Sequence, residues 1–464
     1  MSDLIEQLKA VVGPKGYRVG DDIDDKNYRD IKGARKIQPK LYLRPKTTAE
    51  VSTILALCHA HNQPIAPQGG MTGLVSAAAP MEGEIALGFE RMNKIIEVDE
   101  YTSSMTVEAG VPLQIVQERA ESDGLLFPLD LGARGTCTIG GNLSTNAGGN
   151  RVIRYGMMRE LVLGVEAVLA DGTIINGLHK LRKNNAGYDL KQLFIGSEGT
   201  LGLITKAVLK LSPKPNSQAV AYCGADTFDQ VAKLLNHMQA ALGGTLTAFE
   251  VLWKNVYSSI EEHLPAVHLP LANNFNYYAL VECMGASAEA DKLLFESALE
   301  QALETDIIGD AVISQSDKDI ANMWRVRDAT GELVSKIGYM HSYDVGLNVG
   351  DMGFFGDEVI KQLRAHWPDC VIGLFGHIGD GNLHINFNAG PDTRSLHHQV
   401  DEVIYSIIRD LNGTISAEHG IGIMKREFLS YSKKPEEIAL MKTLKQAMDP
   451  KGILSPGRII KQGT

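Results

Sequence analysis

Val51, Ile54, Leu55 and Cys58 recur at helical spacing within residues 49–62, and the short run Pro64-Ile65-Ala66-Pro67 then leads into Gln68-Gly69-Gly70-Met71-Thr72-Gly73. That pattern predicts a helix, a brief strand and a glycine loop. Residues 84–89 and 104–109 read as strands, and 111–122 as a helix with Pro112 near its first turn. Residues 161–176 read as two β segments joined by Asp171-Gly172, and 201–211 as a strand stopped by Ser212-Pro213-Lys214-Pro215. Beyond those prolines the elements lengthen. Strands are predicted at 219–223, 246–252, 277–283, 311–315 and 342–349, and helices at 228–242, 287–303, 317–336 and 357–366. Helical patterns return at 397–411 and 435–448, where Asp449-Pro450 ends the last. Strands separated by helices predict an α+β fold, with helices on one face of an antiparallel sheet. The expected domains are 1–215, 216–410 and a C-terminal segment at 411–464.

Composition changes this picture little. At roughly 150 residues per domain, 464 residues suit two or three domains. The net charge of −11, with no block of Lys or Arg, leaves nucleic acid without a binding surface. Five cysteines with no CxxC argue against a disulfide framework and for a reducing compartment. Acids at Asp3 and Glu6 stand where a secretory leader would be basic, and no apolar run reaches the ~20 residues of a membrane span. These features read as cytoplasmic.

Three glycine-rich stretches, 67–74, 138–150 and 195–205, offer bare backbone amides interleaved with hydroxyl and amide side chains. Such backbone suits phosphate groups, although each stretch alone is turn chemistry more often than not. None opens a helix as Gly-x-Gly-x-x-Gly after the first strand, so a Rossmann nicotinamide site is poorly supported.

Near the other end stand Gly376-His377-Ile378-Gly379-Asp380-Gly381-Asn382-Leu383-His384-Ile385-Asn386 and Ser416-Ala417-Glu418-His419-Gly420-Ile421-Gly422. If the chain folds back over the Gly-Asp-Gly turn, His377 and His384 converge, and Glu418 could complete a set for a divalent ion with an open position. Zinc suits these ligands best, with manganese or cobalt also compatible. The bland reading, that each His is a satisfied polar residue, stands beside this one. His419 is the candidate general base; the alternative is a residue that orients Glu418. Asp380 reads as a turn residue, and Lys425 and Arg426 as solvated charges. Arg327, on a predicted helix, reads by itself as a surface ion pair.

The stretches Pro67-Gln68-Gly69-Gly70, Gly140-Gly141-Asn142, Asn146-Ala147-Gly148-Gly149, Gly187-Tyr188-Asp189-Leu190 and Gly196-Ser197-Glu198-Gly199-Thr200-Leu201-Gly202 resemble the FAD-binding half of vanillyl-alcohol-oxidase type flavoproteins. The two His-containing motifs resemble the branch with D-2-hydroxyglutarate dehydrogenase, D-lactate dehydrogenase and the flavin subunit of glycolate oxidase. The resemblance runs from about residue 40 to the C-terminus. It implies a two-subdomain FAD-binding domain (PCMH type), an α+β cap with an antiparallel sheet, and a C-terminal helical segment.

It also implies site residues. Pro67, Gln68, Gly69, Gly70, Met71, Thr72, Gly73 and Leu74 would hold the pyrophosphate. Thr138, Gly141, Asn142, Thr145, Asn146, Gly148 and Gly149, with Glu198, Gly199, Gly202 and Ile204, would line ribityl and isoalloxazine. His377, His384 and Glu418 match the family's metal ligands, and Arg327 its carboxylate-binding arginine. Asn386 and His377 would touch the substrate, and His419 would take its hydroxyl proton. Members with covalent FAD have His in the glycine loop, where this chain has Met71, so FAD is expected to be non-covalent. The implied activity is oxidation of a D-2-hydroxy acid such as D-lactate or D-2-hydroxyglutarate. Electrons would pass to an electron-transfer flavoprotein, a quinone or a cytochrome, and a homodimer is compatible.

The chain departs from the D-2-hydroxyglutarate pattern at Ser342, where that group has Lys, at Gly331 in place of Thr, and at Asn348 in place of Pro. Two further readings compete: a flavin subunit of a glycolate-oxidase-like complex, and a metallohydrolase whose glycine stretches are only turns.

Overall fold

Thr47 begins the main helix of the N-terminal region by accepting a hydrogen bond from the Glu50 amide, and Thr48–Ala60 then buries Val51, Ile54, Leu55 and Cys58. These residues pack with Leu4 and Leu8 of the helix Ser2–Val12 and with the strand residues Ile65, Ile85 and Leu87. The computed structural model describes residues 2–30, 36–391 and 393–461. It divides into two units, Met1–Gly149 with Gly156–Lys214 and Glu418–Thr464, and Asn150–Tyr155 with Pro215–Ala417.

The first unit holds two main sheets. One is four-stranded, in the order Tyr17–Arg18, Tyr42–Leu43, Ile85–Gly88, Ile65–Gln68, with the last three mutually parallel. The other is five-stranded and antiparallel, in the order Ile95–Asp99, Ser104–Glu108, Leu203–Lys210, Val162–Val168, Ile174–Asn176. Asp171-Gly172 closes the last pair, with Gly172 at φ +90, a conformation glycine adopts without strain.

The glycine-rich stretch 138–150 is not wholly a loop, because Ile139–Thr145 is helical. A Cβ on Gly140 would lie 2.7 Å from the Ala109 Cβ. Close packing against that strand end therefore outweighs glycine's cost in a helix. The predicted helix at 111–122 starts at Leu113, with Pro112 as its N-cap.

The second unit is built on a seven-stranded antiparallel sheet, in the order Asp310–Ile313, Ser217–Ala225, Tyr277–Gly285, Leu246–Trp253, Val371–His377, Asn382–Asn388, His341–Gly346. Helices cover both faces rather than one. Lys254–His263 and Asp317–Ile337 pack on Tyr222, Leu252 and Leu280. On the opposite face, Phe228 of Phe228–Leu242 meets the rings of Trp253 and Tyr277. Tyr277–Gly285 is accordingly buried at every position. The strand expected through 349 ends at Gly346, and the helix expected from 357 already begins at Val349. Gly353 and Gly356 hid that helix from the propensity reading; their missing side chains let it approach Phe228 and Trp253.

The short segment Asn150–Tyr155 belongs to this unit through a buried acid. Glu282, with no exposed side chain, accepts from Arg151 Nε at 3.1 Å, Gln218 at 2.6 Å, Trp324 Nε1 at 3.0 Å and Thr247 at 2.8 Å. Removing the cation leaves a buried charge without its counter-ion. Arg151→Met should therefore destabilise this unit by about 3 kcal/mol or more, measured as a lower urea midpoint; an unchanged midpoint would contradict the clamp.

Candidate functional site

In the first unit a cleft is lined by the loop Pro67 to Gly73, by Thr138, Gly141, Asn142 and Thr145, and by Glu198, Gly199 and Ile204. The backbone must pass close here. A Cβ on Gly70 would fall 2.0 Å from the Thr136 carbonyl oxygen, and one on Gly69 2.7 Å from Thr138 Oγ1. Met71 adopts φ +57, a left-handed conformation uncommon for a residue with a side chain. Among the described residues, Thr138 Oγ1 and Asn142 Nδ2 are buried without a hydrogen-bond partner, as expected of groups that await a polar ligand. The larger cavity of this unit, about 540 Å³ beside the helix Pro435–Met448, contains none of the candidate residues.

Five candidates lie off the cleft lining: Leu74, Asn146, Gly148, Gly149 and Gly202. Asn146 caps the helix Ile139–Thr145 in a left-handed conformation, and its Oδ1 accepts the Arg159 amide at 2.9 Å. A Cβ on Gly202 would strike the Phe194 ring, and one on Gly149 the Asp130 carbonyl oxygen, so both glycines serve packing. Gln68 lines the cleft, yet its side-chain amide donates to the carbonyls of Asn27 at 2.7 Å and Ala78 at 3.1 Å. That side chain anchors the loop.

The segment that begins with Glu418 and His419 is held inside this unit by Glu198, which accepts the amides of Ile421 and Gly422, both at 2.8 Å. Gly420, at φ +83, leaves no room for a side chain against that carboxylate, and a Cβ on Gly148 would meet Glu418 Oε1 at 2.6 Å. Lys425 is 5% exposed, and Arg426 donates to the Gly457 carbonyl at 2.5 Å. Both are therefore part of the packing, not the solvated charges expected from sequence.

In the second unit, Val371–His377 and Asn382–Asn388 form a hairpin in which Phe375 pairs with His384 and His377 with Asn382. His377 and His384 are thus diagonal neighbours on one face, with ring centroids 5.2 Å apart and a nitrogen of each within 4.8 Å of the other. Asp380 lies in the short helical turn Ile378–Asp380. Asp344 pairs across from His384, with a carboxylate oxygen within 4.8 Å of a His384 nitrogen. It accepts from Asn382 at 2.9 Å, Ser416 Oγ at 3.1 Å and the Ala417 amide at 3.2 Å. Glu418 is the next residue of the chain.

Arg327 is not a surface ion pair. Its side chain is 14% exposed, and Nε donates to Glu250 at 2.9 Å. Glu250 also accepts from His377 Nδ1 at 2.5 Å. Burial works against the Glu250 charge, but His377 and Arg327 outweigh it and hold the carboxyl below its ordinary range. Asn386 pairs with Ser342 in the register, while the His341 ring turns away to the Thr393 carbonyl at 2.5 Å. Sequence reasoning missed Glu250 and Asp344. The available signal was a lone acid in each of two strands, Leu246–Trp253 and His341–Gly346.

The FAD binding domain model matches residues 39–177, and the model for the C-terminal domain of FAD linked oxidases matches residues 214–459. The chain is 39% identical to a probable mitochondrial D-2-hydroxyglutarate dehydrogenase of Oryza sativa subsp. japonica, over 99% of this chain and 82% of that one. It belongs to the FAD-linked D-2-hydroxy acid dehydrogenase family. A putative mitochondrial D-lactate dehydrogenase of Schizosaccharomyces pombe is 36% identical over 98% of this chain and 90% of that one. The D-2-hydroxyglutarate dehydrogenase of Stutzerimonas stutzeri is 36% identical over 98% of each. Among solved structures, p-cresol methylhydroxylase with substrate bound superposes with a TM-score of 0.79 at 16% identity, covering 100% of this chain and 97% of that one, which shows a shared fold.

Family membership ends the metallohydrolase reading, and the orphaned donors of Thr138 and Asn142 fit an FAD site. The cytoplasmic reading is corrected, because the rice and fission-yeast relatives are labelled mitochondrial. Among the described residues no helix is long and apolar enough to cross a membrane.

Two outcomes follow from the first unit. Thr138→Val, which keeps the shape and removes the hydroxyl, should weaken FAD binding to the apoprotein by up to about tenfold, read by flavin fluorescence titration; unchanged affinity would remove Thr138 from the site. Burial pushes the Glu198 carboxyl from its ordinary 4.5 up to about 7, despite its two amide donors. The folded chain thus keeps a proton that the unfolded chain releases, and this stabilisation, complete below pH 4.5, is lost as pH rises through about 7. Calorimetry should show a melting temperature that falls less between about pH 5 and 8 in Glu198→Gln than in the parent chain.

Proposed function

We propose that the chain oxidises a D-2-hydroxy acid to the 2-oxo acid and delivers the electrons to a separate acceptor, such as an electron-transfer flavoprotein, a quinone or a cytochrome. The observation that supports this most is the grouping of Arg327, from the helix Asp317–Ile337, with His377 and His384 of the hairpin, with Arg327 Nη2 3.2 Å from His377 Nε2. Bound FAD supplies the hydride acceptor. It is held without a covalent bond: Met71 replaces the histidine of covalent members, and burial raises the pKa of the Cys137 thiol beside the loop, which keeps it protonated.

A divalent ion, zinc or else manganese or cobalt, supplies Lewis acidity, and His377, His384 and Glu418 are the residues that would hold it. Arg327 pairs the substrate carboxylate through its planar fork. Asn386, two positions beyond His384 on the same strand face, hydrogen-bonds the substrate. His419 takes the hydroxyl proton as the carbonyl forms, a task suited to imidazole near neutral pH. At Ser342, opposite Asn386, a second substrate carboxylate meets a hydroxyl instead of the lysine ammonium. A strong preference for the five-carbon diacid is therefore not expected.

Anaerobic mixing of the FAD-loaded chain with D-lactate, D-2-hydroxyglutarate and D-malate tests both points. At least one acid should bleach the flavin absorbance, and His419→Asn should slow bleaching by about 10²–10⁴-fold with FAD retained. No bleaching by any of the three overturns the activity. A strong preference for D-2-hydroxyglutarate overturns the inference from Ser342.

A further inference from the structure

We propose that Glu250 is a positioning residue that sets the ring tautomer of His377 and the presentation of Arg327 to the substrate carboxylate; this rests on the hydroxy-acid reading above. Glu250 projects from Leu246–Trp253, the neighbour of Val371–His377 in the sheet, and pairs with His377 in the register. It is 2% exposed. One of its oxygens accepts from His377 Nδ1 at 2.5 Å and the other from Arg327 Nε at 2.9 Å. Arg327 Nη2 stands 3.2 Å from His377 Nε2 and closes the triangle.

The donors fix the chemistry. A guanidinium only donates, so His377 Nε2 is the acceptor of that contact. The single ring proton therefore sits on Nδ1, facing Glu250. The lone pair that Arg327 occupies is the one a divalent ion would use, and a carboxylate on the far nitrogen makes that lone pair more basic. Every other position of Leu246–Trp253 is apolar or threonine, and the whole strand is buried. For folding alone an apolar side chain would serve there at least as well as an ion pair. The acid is explained by what it does to its two partners.

The test uses the full-length, FAD-loaded chain, its Glu250→Gln and Glu250→Asp variants, and zinc alone as the metal probe. In ¹⁵N-histidine-labelled parent protein, the His377 ring, assigned by difference from a His377→Asn sample, should show a protonated Nδ1 and an unprotonated Nε2. Glutamine can accept from only one of the two partners. Glu250→Gln should keep FAD and fold, weaken zinc in equilibrium dialysis by about 10–100-fold, and raise KM for D-lactate roughly tenfold with a smaller change in kcat. Glu250→Asp, which restores the charge one methylene short, should recover part of both.

A folded Glu250→Gln with parental zinc affinity and KM overturns the proposal. So does an unprotonated Nδ1 in the parent chain, a result that needs no variant to fold. If the parent chain neither retains zinc nor reduces its flavin with a hydroxy acid, the functional reading fails instead, and the ring spectrum still decides whether Glu250 governs His377.

Discussion

The register of one hairpin brings His377 and His384 together on one face of the second unit. Side chains alternate along a strand, so a slip of one residue between Val371–His377 and Asn382–Asn388 would send His384 to the opposite face from His377. Three features pin the register. Gly381 turns the chain at φ +86, and a Cβ there would lie 2.9 Å from the Leu347 carbonyl oxygen. A Cβ on Gly376 would meet the Asn382 carbonyl oxygen at 2.3 Å, so the strands close only with glycine at that position. Asn382 donates to Asp344 at 2.9 Å and to the Val345 carbonyl at 3.0 Å, which locks the outer strand as well.

Buried carboxylates do the positioning throughout. Glu282 ties down Asn150–Tyr155, Asp344 holds Ser416 and Ala417, Glu250 aligns Arg327 and His377, and Glu198 fixes the backbone just after His419. A charge placed in an apolar interior costs several kcal/mol unless donors surround it. Glu282, Asp344 and Glu250 each have two or more donors, and Glu198, whose pKa burial raises to about 7, accepts two backbone amides, so each determines the geometry of the groups around it. Arg327 and His377 are thereby held by a buried side chain, and the chain around Glu418 and His419 by backbone contacts.

Much of this was legible in the sequence. The Gly-Asp-Gly turn announced the hairpin, and the glycine stretches read as suited to phosphate groups line a cleft at Pro67 to Gly73, Thr138 and Asn142. Misreadings arose where tertiary packing overrode local preference. Gly140, Gly353 and Gly356 sit in helices because neighbouring elements approach too closely for a side chain. Glu250 went unnoticed for a related reason: a sheet with one solvated face would turn an isolated acid outward to water. Both faces here are covered by helices, so the same acid is driven into the interior beside Arg327 and His377. Lys425 and Arg426 were misjudged likewise, since sequence proximity cannot reveal what packs over a turn.

Anomalous diffraction at the zinc edge, from crystals of the FAD-loaded chain, tests the proposed metal site most directly. The account expects a single ion bound through one nitrogen each of His377 and His384 at about 2.0–2.1 Å, with Glu418 as the carboxylate ligand. An ion bound elsewhere, or rings 377 and 384 turned apart with no ion between them, would contradict it.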